Sequence, residues 1–400
     1  MEKAYFNLEE CGRSMGKYQK DTIIAQLGVI RDEKYGAIST PIYHSATYRH
    51  PGVGQSTGFD YARTANPTRQ QAELAIAKLE DSQFAFAFAS GMAALSTVMG
   101  LFKAGDHILL SEDLYGGTYR LLKQHLYSYG IEADFVDTTS YAKIEQAWKN
   151  NTCALLIETP SNPLMKITDI RRCSQLCKSK SALLIVDNTF MTAYYQRPLE
   201  LGADITVYSG TKYLAGHNDL LAGAIVVQDA TLAEKIGFIQ NTVGNVLSPG
   251  DSWLLLRSLK TLGLRMERQT ANAKKIVEWA VTEGSRWIED VYYPGLDNHP
   301  GHAIHRNQAS DDGAMVALRL KREDVAIKLL PELQIFSFAE SLGGVESLIT
   351  IPSFQTHGDM PEEYRQSLGI TNSLLRVSVG IEDARDLIED LQSAIEKVSK

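Results

Sequence analysis

The sequence predicts an α/β protein with a mainly parallel central sheet, helices on both faces, and a smaller C-terminal α+β domain. Between about Phe84 and Gln228, apolar runs rich in Val, Ile and Leu alternate with helix-like segments. This pattern is typical of parallel strands buried on both faces. After about residue 284, short apolar runs alternate with helical stretches again. We expect an N-terminal arm over residues 1–65, a large domain over residues 66–258 and a small domain over residues 259–400.

The elements of the large domain alternate in order along the chain. The run "AFAFAS" precedes "GMAALSTVMGLF", "HILLSED" precedes "GGTYRLLKQHLYSY", and "CALLIET" precedes "DIRRCSQLCKSK"; the runs "ALLIVDNTF", "ITVYSG" and "AGAIVVQ" follow. A helical stretch from about Asp251 to Gly284 leads out of the sheet, and "DARDLIEDLQSAIEKVSK" predicts a final helix. Turn-forming stretches such as "HPGVGQSTG" predict that the first 60 or so residues form an arm on another subunit.

Composition narrows the class of function. The 400 residues carry a formal net charge of -8, which argues against a general nucleic-acid binder because such proteins neutralise phosphates. No run approaches the ~20 apolar residues of a membrane span. We therefore expect a cytoplasmic protein that acts on small molecules. Four cysteines fit a reducing compartment, and Cys173 and Cys177 share a helix face that we assign to packing rather than to a metal.

One lysine stands where a parallel sheet usually binds its ligand. Lys212 lies in "SGTKYLAGHND", just after an apolar run, and open α/β sheets bind ligands outside the carboxyl ends of their strands. It is either a surface lysine, the usual state of this residue type, or a Schiff-base lysine whose amine is activated by burial. The neighbouring strand ends decide between the two interpretations.

Those strand ends carry groups that suit a pyridoxal cofactor. Asp187 follows four apolar residues in "LLIVDNTF", where a protonated pyridine nitrogen would offset the cost of burying a carboxylate; a turn-capping Asp is the alternative. In "FASGMAA", Gly91 and Met92 open a helix whose free N–H groups suit a phosphate. Tyr115, beside two glycines, is suited to stack on a flat ring. The hydroxyls that could reach the same phosphate belong to Ser209 and Thr211.

Other catalytic motifs are missing from the sequence. There is no G-x-G-x-x-G after a strand, no Walker phosphate loop, no H-E-x-x-H helix and no G-x-S-x-G elbow. The histidines of "HPGHAIH", His299, His302 and His305, are predicted to lie in a solvated loop because Pro300 and Gly301 disfavour a helical metal face. We predict no metal site.

The ordered motifs "GFDYARTANPTR", "FASGMAAL", "DLYGGTYR", "ETPSNPL", "VDNTF", "SGTKYLAGHND", "AESLGGVES" and "LLRVSVGIED" closely resemble the Cys/Met-metabolism family of pyridoxal-phosphate enzymes. The resemblance runs from about Thr40 to the C-terminus. It implies the aspartate-aminotransferase (type I) fold, pyridoxal 5'-phosphate as cofactor, amino-acid substrates and a homotetramer built from two active dimers.

The resemblance also assigns roles to individual residues. It makes Lys212 the Schiff-base lysine, Asp187 the partner of the pyridinium and Tyr115 the stacking tyrosine. It assigns the phosphate to Gly91, Met92, Ser209 and Thr211, joined by Tyr61 and Arg63 from the neighbouring subunit. The substrate α-carboxylate is assigned to Arg376, a planar bidentate cation, with Asn162 and Ser341 as its helpers.

The reaction that the resemblance implies is γ-chemistry on a cystathionine-sized substrate. Glu340 in "AESLGG" is similar to the glutamate of the γ-acting enzymes, and Arg120 in "GGTYR" resembles an arginine that receives a distal carboxylate. We place γ-replacement of the cystathionine γ-synthase or O-acylhomoserine thiol-transfer type ahead of γ-elimination of the cystathionine γ-lyase type. "GHND" departs from the commoner "GHSD", which leaves the role of Asn218 open.

Two rival classes receive less support from the residues. A non-catalytic pyridoxal-binding scaffold would have no use for Lys212 together with Asp187, Tyr115 and Arg376. A nicotinamide oxidoreductase would need the glycine-rich phosphate motif that the sequence lacks.

Overall fold

The computed structural model describes residues 18–29, 35–358 and 360–400, so the first part of the predicted arm lies outside the described residues. The described strands form a seven-stranded sheet and a five-stranded sheet. The larger sheet contains β1 (Phe84–Phe88), β2 (His107–Ser111), β3 (Glu132–Val136), β4 (Thr152–Glu158), β5 (Leu183–Asp187), β6 (Ile205–Ser209) and β7 (Gly223–Val227).

The larger sheet is mainly parallel, as predicted. Its strand order is β1-β7-β6-β5-β4-β2-β3. Only β7 runs against its two neighbours, while β6, β5, β4, β2 and β3 pair in parallel. The carboxyl ends of β4, β5 and β6 therefore meet at one edge in the middle of the sheet, where Glu158, Asp187 and Ser209 are the last residues of their strands.

The described helices are α1 (Lys20–Ala25), α2 (Pro67–Leu79), α3 (Gly91–Met99), α4 (Gly116–Arg120), α5 (Tyr141–Ala147), α6 (Ile170–Ser179), α7 (Thr192–Tyr195), α8 (Ala230–Val243), α9 (Pro249–Leu259), α10 (Leu262–Val281), α11 (His302–Gln308), α12 (Glu323–Leu329), α13 (Glu362–Leu368) and α14 (Ala384–Val398). None of them is long and apolar enough to cross a membrane.

Helices cover both faces of the larger sheet. Along β4, Leu156 packs in a buried cluster with α3 and α8, whereas Leu155 and Ile157 pack in a second cluster with α5 and α6. This alternation buries successive strand residues on opposite faces, which explains the continuous apolar runs of the sequence. Cys173 and Cys177 lie buried in the second cluster, so the prediction that they serve packing agrees with the structure.

The smaller sheet contains β8 (Ile288–Tyr292), β9 (Met315–Leu320), β10 (Ser337–Phe338), β11 (Leu348–Thr350) and β12 (Leu374–Ser378). Its order is β10-β11-β12-β9-β8, with every pair antiparallel except β10 and β11. The α/β sheet and the C-terminal α+β sheet of the predicted fold class are thus both present. The predicted boundary after residue 258 falls at the last residue of α9, just before the corner that leads into α10, and the exact domain limits stay a prediction.

The prediction of a solvated loop for the histidine cluster was wrong. Helix α11 begins at His302, and His305 is fully buried with its Nε2 3.1 Å from the carbonyl of Asp311. Pro300 and Gly301 come just before the helix, where neither residue disrupts it. No group of metal-ligating side chains occurs in the described ranges.

Candidate active site

A cavity of about 200 Å³ opens at the carboxyl edge of β4, β5 and β6. Most of the predicted site residues line it, although they come from distant parts of the chain. The predicted residues in its wall are Gly91, Met92, Tyr115, Asn162, Asp187, Ser209, Thr211, Lys212, Glu340, Ser341 and Arg376. The cavity therefore brings together side chains from both sheets.

Lys212 extends from a turn that follows β6. Its Nζ donates a hydrogen bond to Ser341 Oγ at 2.8 Å. Burial, and next the positive charge of Arg376, lower the pKa of Lys212 from 10.5 to about 8. A substantial fraction of the amine is therefore neutral near physiological pH, the form that attacks a carbonyl carbon.

Two carboxyl groups lie side by side at the strand ends. Asp187 of β5 is the register partner of Glu158 of β4. Burial raises the pKa of Asp187, and burial together with the charge of Asp187 raises the pKa of Glu158 well above its usual range. One oxygen of Asp187 accepts from the backbone N–H of Thr189 at 3.0 Å. Asp187 thus caps a turn, as the alternative interpretation proposed, and also faces the cavity.

The N-terminus of α3 forms another wall. Ser90 Oγ caps the helix by accepting from Ala93 N at 3.0 Å, which leaves the amides of Gly91 and Met92 without that cap. Gly223 of β7 lets the helix approach closely, since a Cβ at this position would lie 2.0 Å from the Ser90 carbonyl oxygen. This end of α3 is suited to bind an anion.

The hydroxyl groups near this helix end differ in their availability. The amide of Ser209 donates to Thr189 Oγ1 at 2.9 Å, and Ser209 lines the cavity. The hydroxyl of Thr211 donates to the carbonyl of Ala222 at 3.2 Å and accepts from its amide at 3.0 Å. Thr211 therefore fixes the loop before β7, and its predicted contact with a phosphate stays a prediction.

Arg376, on β12, is a buried cation facing the cavity, with only 2% of its surface exposed. Its Nη1 donates to Asn162 Oδ1 at 3.1 Å and its Nη2 donates to the carbonyl of Ser341 at 2.9 Å, while Nε has no partner. Burial lowers the pKa of Arg376 to about 10, so the side chain stays charged at neutral pH. Among the residues described, no carboxylate forms an ion pair with it.

Ser341 joins the lysine to the arginine. Its hydroxyl contacts Lys212 and its carbonyl contacts Arg376. Its φ of +83° lies in the left-handed region, which is costly for a residue with a Cβ and is typical of functional sites.

The other predicted site residues lie outside this cavity wall. Tyr61 and Arg63 are exposed, and Arg63 Nη1 donates to Asn241 Oδ1 at 3.0 Å. Arg120, the last residue of α4, is also exposed. Their predicted roles at a phosphate and a distal carboxylate stay predictions.

The structure adds cavity residues that the sequence interpretation missed. Glu158 accepts a hydrogen bond from the backbone N–H of Tyr115 at 3.0 Å, and Thr189 supports both Asp187 and Ser209. Thr356 also lines the wall. The signal for Glu158 was its place at the end of an apolar run, as for Asp187; no local pattern marks Thr356.

Asn218, whose role was left open, contacts the small domain. It is exposed, has a φ of +55° and donates from Nδ2 to Glu346 Oε2 at 2.8 Å. Asparagine tolerates this left-handed conformation better than most residues, which gives "GHND" a structural explanation.

Comparison with known proteins agrees with this geometry. A family model described as "Cys/Met metabolism PLP-dependent enzyme" matches residues 21–396. The chain is 50% identical over 380 residues to a cystathionine gamma-synthase/O-acetylhomoserine (thiol)-lyase of Bacillus subtilis, covering 95% of this chain and 97% of that protein. It is 47% identical over 370 residues to a cystathionine beta-lyase of Lactococcus lactis, covering 92% and 97%.

A solved structure shows the same fold. The cystathionine gamma-lyase of Lactobacillus plantarum, determined with L-serine, superposes with a TM-score of 0.92 at 41% identity, covering 96% of this chain and all of that one. The names of these three relatives cover three different reactions.

Proposed function

Because the chain belongs to the Cys/Met metabolism family of pyridoxal-phosphate-dependent enzymes, we propose that it catalyses γ-replacement of the cystathionine γ-synthase or O-acylhomoserine thiol-transfer type. In this reaction an O-acylhomoserine and cysteine, or another thiol, give cystathionine, or another thioether, and the free acid. The observation that carries the proposal is one cavity that holds Lys212, Asp187 and Arg376 together.

The residues present fit the cofactor. Pyridoxal phosphate supplies an aldehyde that condenses with a lysine amine and a ring that accepts electrons. Lys212 has an amine that faces the cavity, and burial raises the pKa of the Asp187 carboxyl. A ring nitrogen that carries a proton would offset the cost of burying this carboxylate. The amides of Gly91 and Met92 would hold the phosphate, and Tyr115 would cover one face of the ring.

Arg376 would bind the α-carboxylate of the amino acid. Its Nε lacks a partner and its guanidinium forms no ion pair with a carboxylate of the described residues, so a bound carboxylate would satisfy both. Asn162 and Ser341 hold the other two nitrogens and fix the plane of the guanidinium. The substrate is thus held beside the Lys212 amine.

Lys212 Nζ would move the protons of the reaction. An amine with a pKa of about 8 takes a proton from Cα and returns one near neutral pH. Chemistry at Cγ also requires a proton transfer at Cβ, and the long lysine side chain can reach both carbons. Ser341 Oγ accepts from Nζ and orients the amine between transfers.

Glu340 favours reaction at Cγ over reaction at Cβ. The resemblance to γ-acting enzymes rests on this residue, and Glu340 lines the cavity next to Ser341. The second candidate is γ-elimination, in which cystathionine and water give cysteine, 2-oxobutyrate and ammonia. The similarity to the L. plantarum γ-lyase structure favours this alternative.

We also propose a homotetramer built from two active dimers. Tyr61 and Arg63 are exposed and lie outside the cavity wall of their own chain. This supports the interpretation that they serve the neighbouring subunit's phosphate.

A two-substrate assay tests the proposal. Purified enzyme with pyridoxal phosphate is given O-acetylhomoserine plus cysteine, and separately cystathionine; cystathionine, 2-oxobutyrate and pyruvate are measured. Formation of cystathionine in the first mixture supports γ-replacement. Rapid 2-oxobutyrate release from cystathionine with negligible condensation would assign the enzyme to γ-elimination, and pyruvate would assign it to β-cleavage. Lys212→Ala should abolish both turnover and the visible absorbance of the bound cofactor.

A further inference from the structure

A buried arginine lies behind the turn that carries Lys212. Arg265, in the first turns of α10, is only 5% exposed. Burial lowers its pKa to about 10, so it remains charged at neutral pH. No carboxylate of the described chain pairs with it, and burying such a charge is costly. Its partners are therefore informative.

The guanidinium binds the backbone directly after Lys212. Nη1 donates to the carbonyl of Tyr213 at 2.6 Å, and Nη2 lies 3.4 Å from the carbonyl of Leu214. Nη2 also donates to the carbonyl of Ser258 at 3.1 Å, and Nε to Thr261 Oγ1 at 3.3 Å. One side chain thus connects the lysine turn to the corner between α9 and α10.

The remaining carbonyls of the turn have other partners. Gly216 N donates to the carbonyl of Lys212 at 2.7 Å, and Val345 N donates to the carbonyl of Gly216 at 3.0 Å. His217 Nδ1 lies 2.6 Å from the carbonyl of Ala215. Since buried carbonyls without partners are costly, only Arg265 satisfies those of Tyr213 and Leu214 among the described side chains.

The turn is also shaped to admit the guanidinium. Gly216 has a φ of +69°, and a Cβ at this position would lie 1.9 Å from Arg265 Nη1. A lysine could not replace the arginine, because one ammonium cannot span three separated carbonyls as a planar fork does.

We propose that Arg265 is a positioning residue for Lys212: by holding the two carbonyls after the lysine, it fixes the direction in which the amine enters the cavity. This inference rests on the proposed role of Lys212 as the cofactor-binding lysine. Arg265 is not among the residues that line the cavity, so it acts only through the turn.

The test uses three variants reconstituted with pyridoxal phosphate: Arg265→Met, Arg265→Lys and the control Asn272→Leu. Asn272 is also buried on α10 and donates to the carbonyls of Gly380 and Glu382 at 3.0 and 2.8 Å. Asn272 therefore resembles Arg265 in its burial and in binding backbone carbonyls, but it does not contact the turn that carries Lys212. The measurements are kcat and KM for the reaction that the wild-type enzyme catalyses, the pH titration of the visible absorbance of bound cofactor, and the thermal midpoint.

Arg265→Met should lower kcat about 10- to 100-fold, the scale of a misplaced catalytic group, with KM changed less than about twofold because Arg376 is untouched. It should also shift the midpoint of the absorbance titration, since the lysine sets how the ring and its linkage align. Arg265→Lys should show smaller changes in the same direction, and it provides the test if the methionine variant does not fold. Asn272→Leu should lower only the thermal midpoint.

If both Arg265 variants kept the wild-type kcat, expressed per bound cofactor, and the wild-type midpoint of the absorbance titration, Arg265 would have only a structural role and the inference would be overturned. A different variant, Lys212→Ala, tests the proposed function separately. If Lys212→Ala kept the visible absorbance, the lysine assignment itself would fall, and with it the inference.

Discussion

The active-site residues are ionisable groups held in places that are costly for their charges. Arg376 is buried without a carboxylate partner among the described residues, Lys212 has a lowered pKa, and Asp187 has a raised pKa. Burial is the largest cause of the pKa shift of each of these three side chains. A bound amino acid would supply a carboxylate for Arg376, and a bound cofactor would supply a protonated ring nitrogen for Asp187. Burial of these two groups therefore lowers the stability of the empty protein and favours ligand binding.

The first residue-scale prediction concerns substrate capture. Arg376→Ala should raise KM far more than it lowers kcat. The fall in kcat/KM should correspond to a loss of about 2 to 4 kcal/mol of transition-state stabilisation, because the carboxylate loses a bidentate partner. Steady-state kinetics with the preferred substrate measures the change. Arg319→Ala is the control, since Arg319 on neighbouring β9 pairs with Asp290 at 3.1 Å. Equal effects of the two substitutions would contradict a carboxylate site at Arg376.

The second residue-scale prediction concerns pH. The pKa of Lys212 is lowered to about 8 by burial and by Arg376, and only the neutral amine attacks an aldehyde. The rate at which apoenzyme binds added pyridoxal phosphate covalently should therefore rise roughly tenfold per pH unit below 8 and level off above it. Stopped-flow absorbance measures this rate.

The same titration in Arg376→Ala should have a higher midpoint, because one of the two causes of the lowered pKa is removed. A wild-type rate that keeps rising towards pH 10.5, the ordinary value for lysine, would contradict the buried environment of the amine.

At the scale of elements, the site depends on how α3 is seated against β7. The helix offers its N-terminal amides only because Gly223 leaves room for the Ser90 carbonyl and the Gly91 amide. The parallel strands β4, β5 and β6 then bring their last residues to the same place. A change at this contact should affect the cofactor before it affects the fold.

Gly223→Ala tests this contact. Its Cβ would lie 2.0 Å from a backbone oxygen and 2.8 Å from a backbone nitrogen, so α3 must shift. Overpacking of this kind costs ~1–3 kcal/mol, and we expect the apparent dissociation constant of pyridoxal phosphate to rise about tenfold or more. Equilibrium dialysis measures it. Gly250→Ala is the control, because its nearest neighbour would be 3.7 Å away; equal affinities in the two variants would refute the argument.

At the scale of the whole molecule, one chain supplies most of the cavity but not the predicted arm residues. Both sheets contribute: Asp187 ends a strand of the larger sheet, Lys212 follows another, and Arg376 lies on a strand of the smaller sheet. Tyr61 and Arg63 remain exposed on the same chain. The proposed active dimer would complete each site with these two residues of its partner.

Subunit mixing tests the dimer. Arg63→Ala and Lys212→Ala should each be inactive or nearly so, but equal mixing should restore up to about a quarter of wild-type activity, because random pairing makes half of the dimers hybrid with one intact site. Specific activity after subunit exchange is the measurement. A mixture of Lys212→Ala with Arg376→Ala should gain nothing, and no gain in the first mixture would place Arg63 outside the partner's site.

The sequence by itself determined the class of fold and the residues that carry the chemistry. Continuous apolar runs can be buried only between helices, and polar residues at their ends, such as Asp187 and Lys212, must then meet at one edge of the sheet. The motifs identified the family, which the comparisons confirmed.

Only the tertiary structure decided which residues support that chemistry. Glu158 and Thr356 join the cavity, and Arg265 holds the lysine turn, through contacts between segments that lie far apart in the chain. In the sequence, Arg265 is one more basic residue on a helix, as is its exposed neighbour Arg268. The histidine segment was mistaken for a solvated loop for the same reason: burial depends on what packs against a residue, and local sequence does not contain that information.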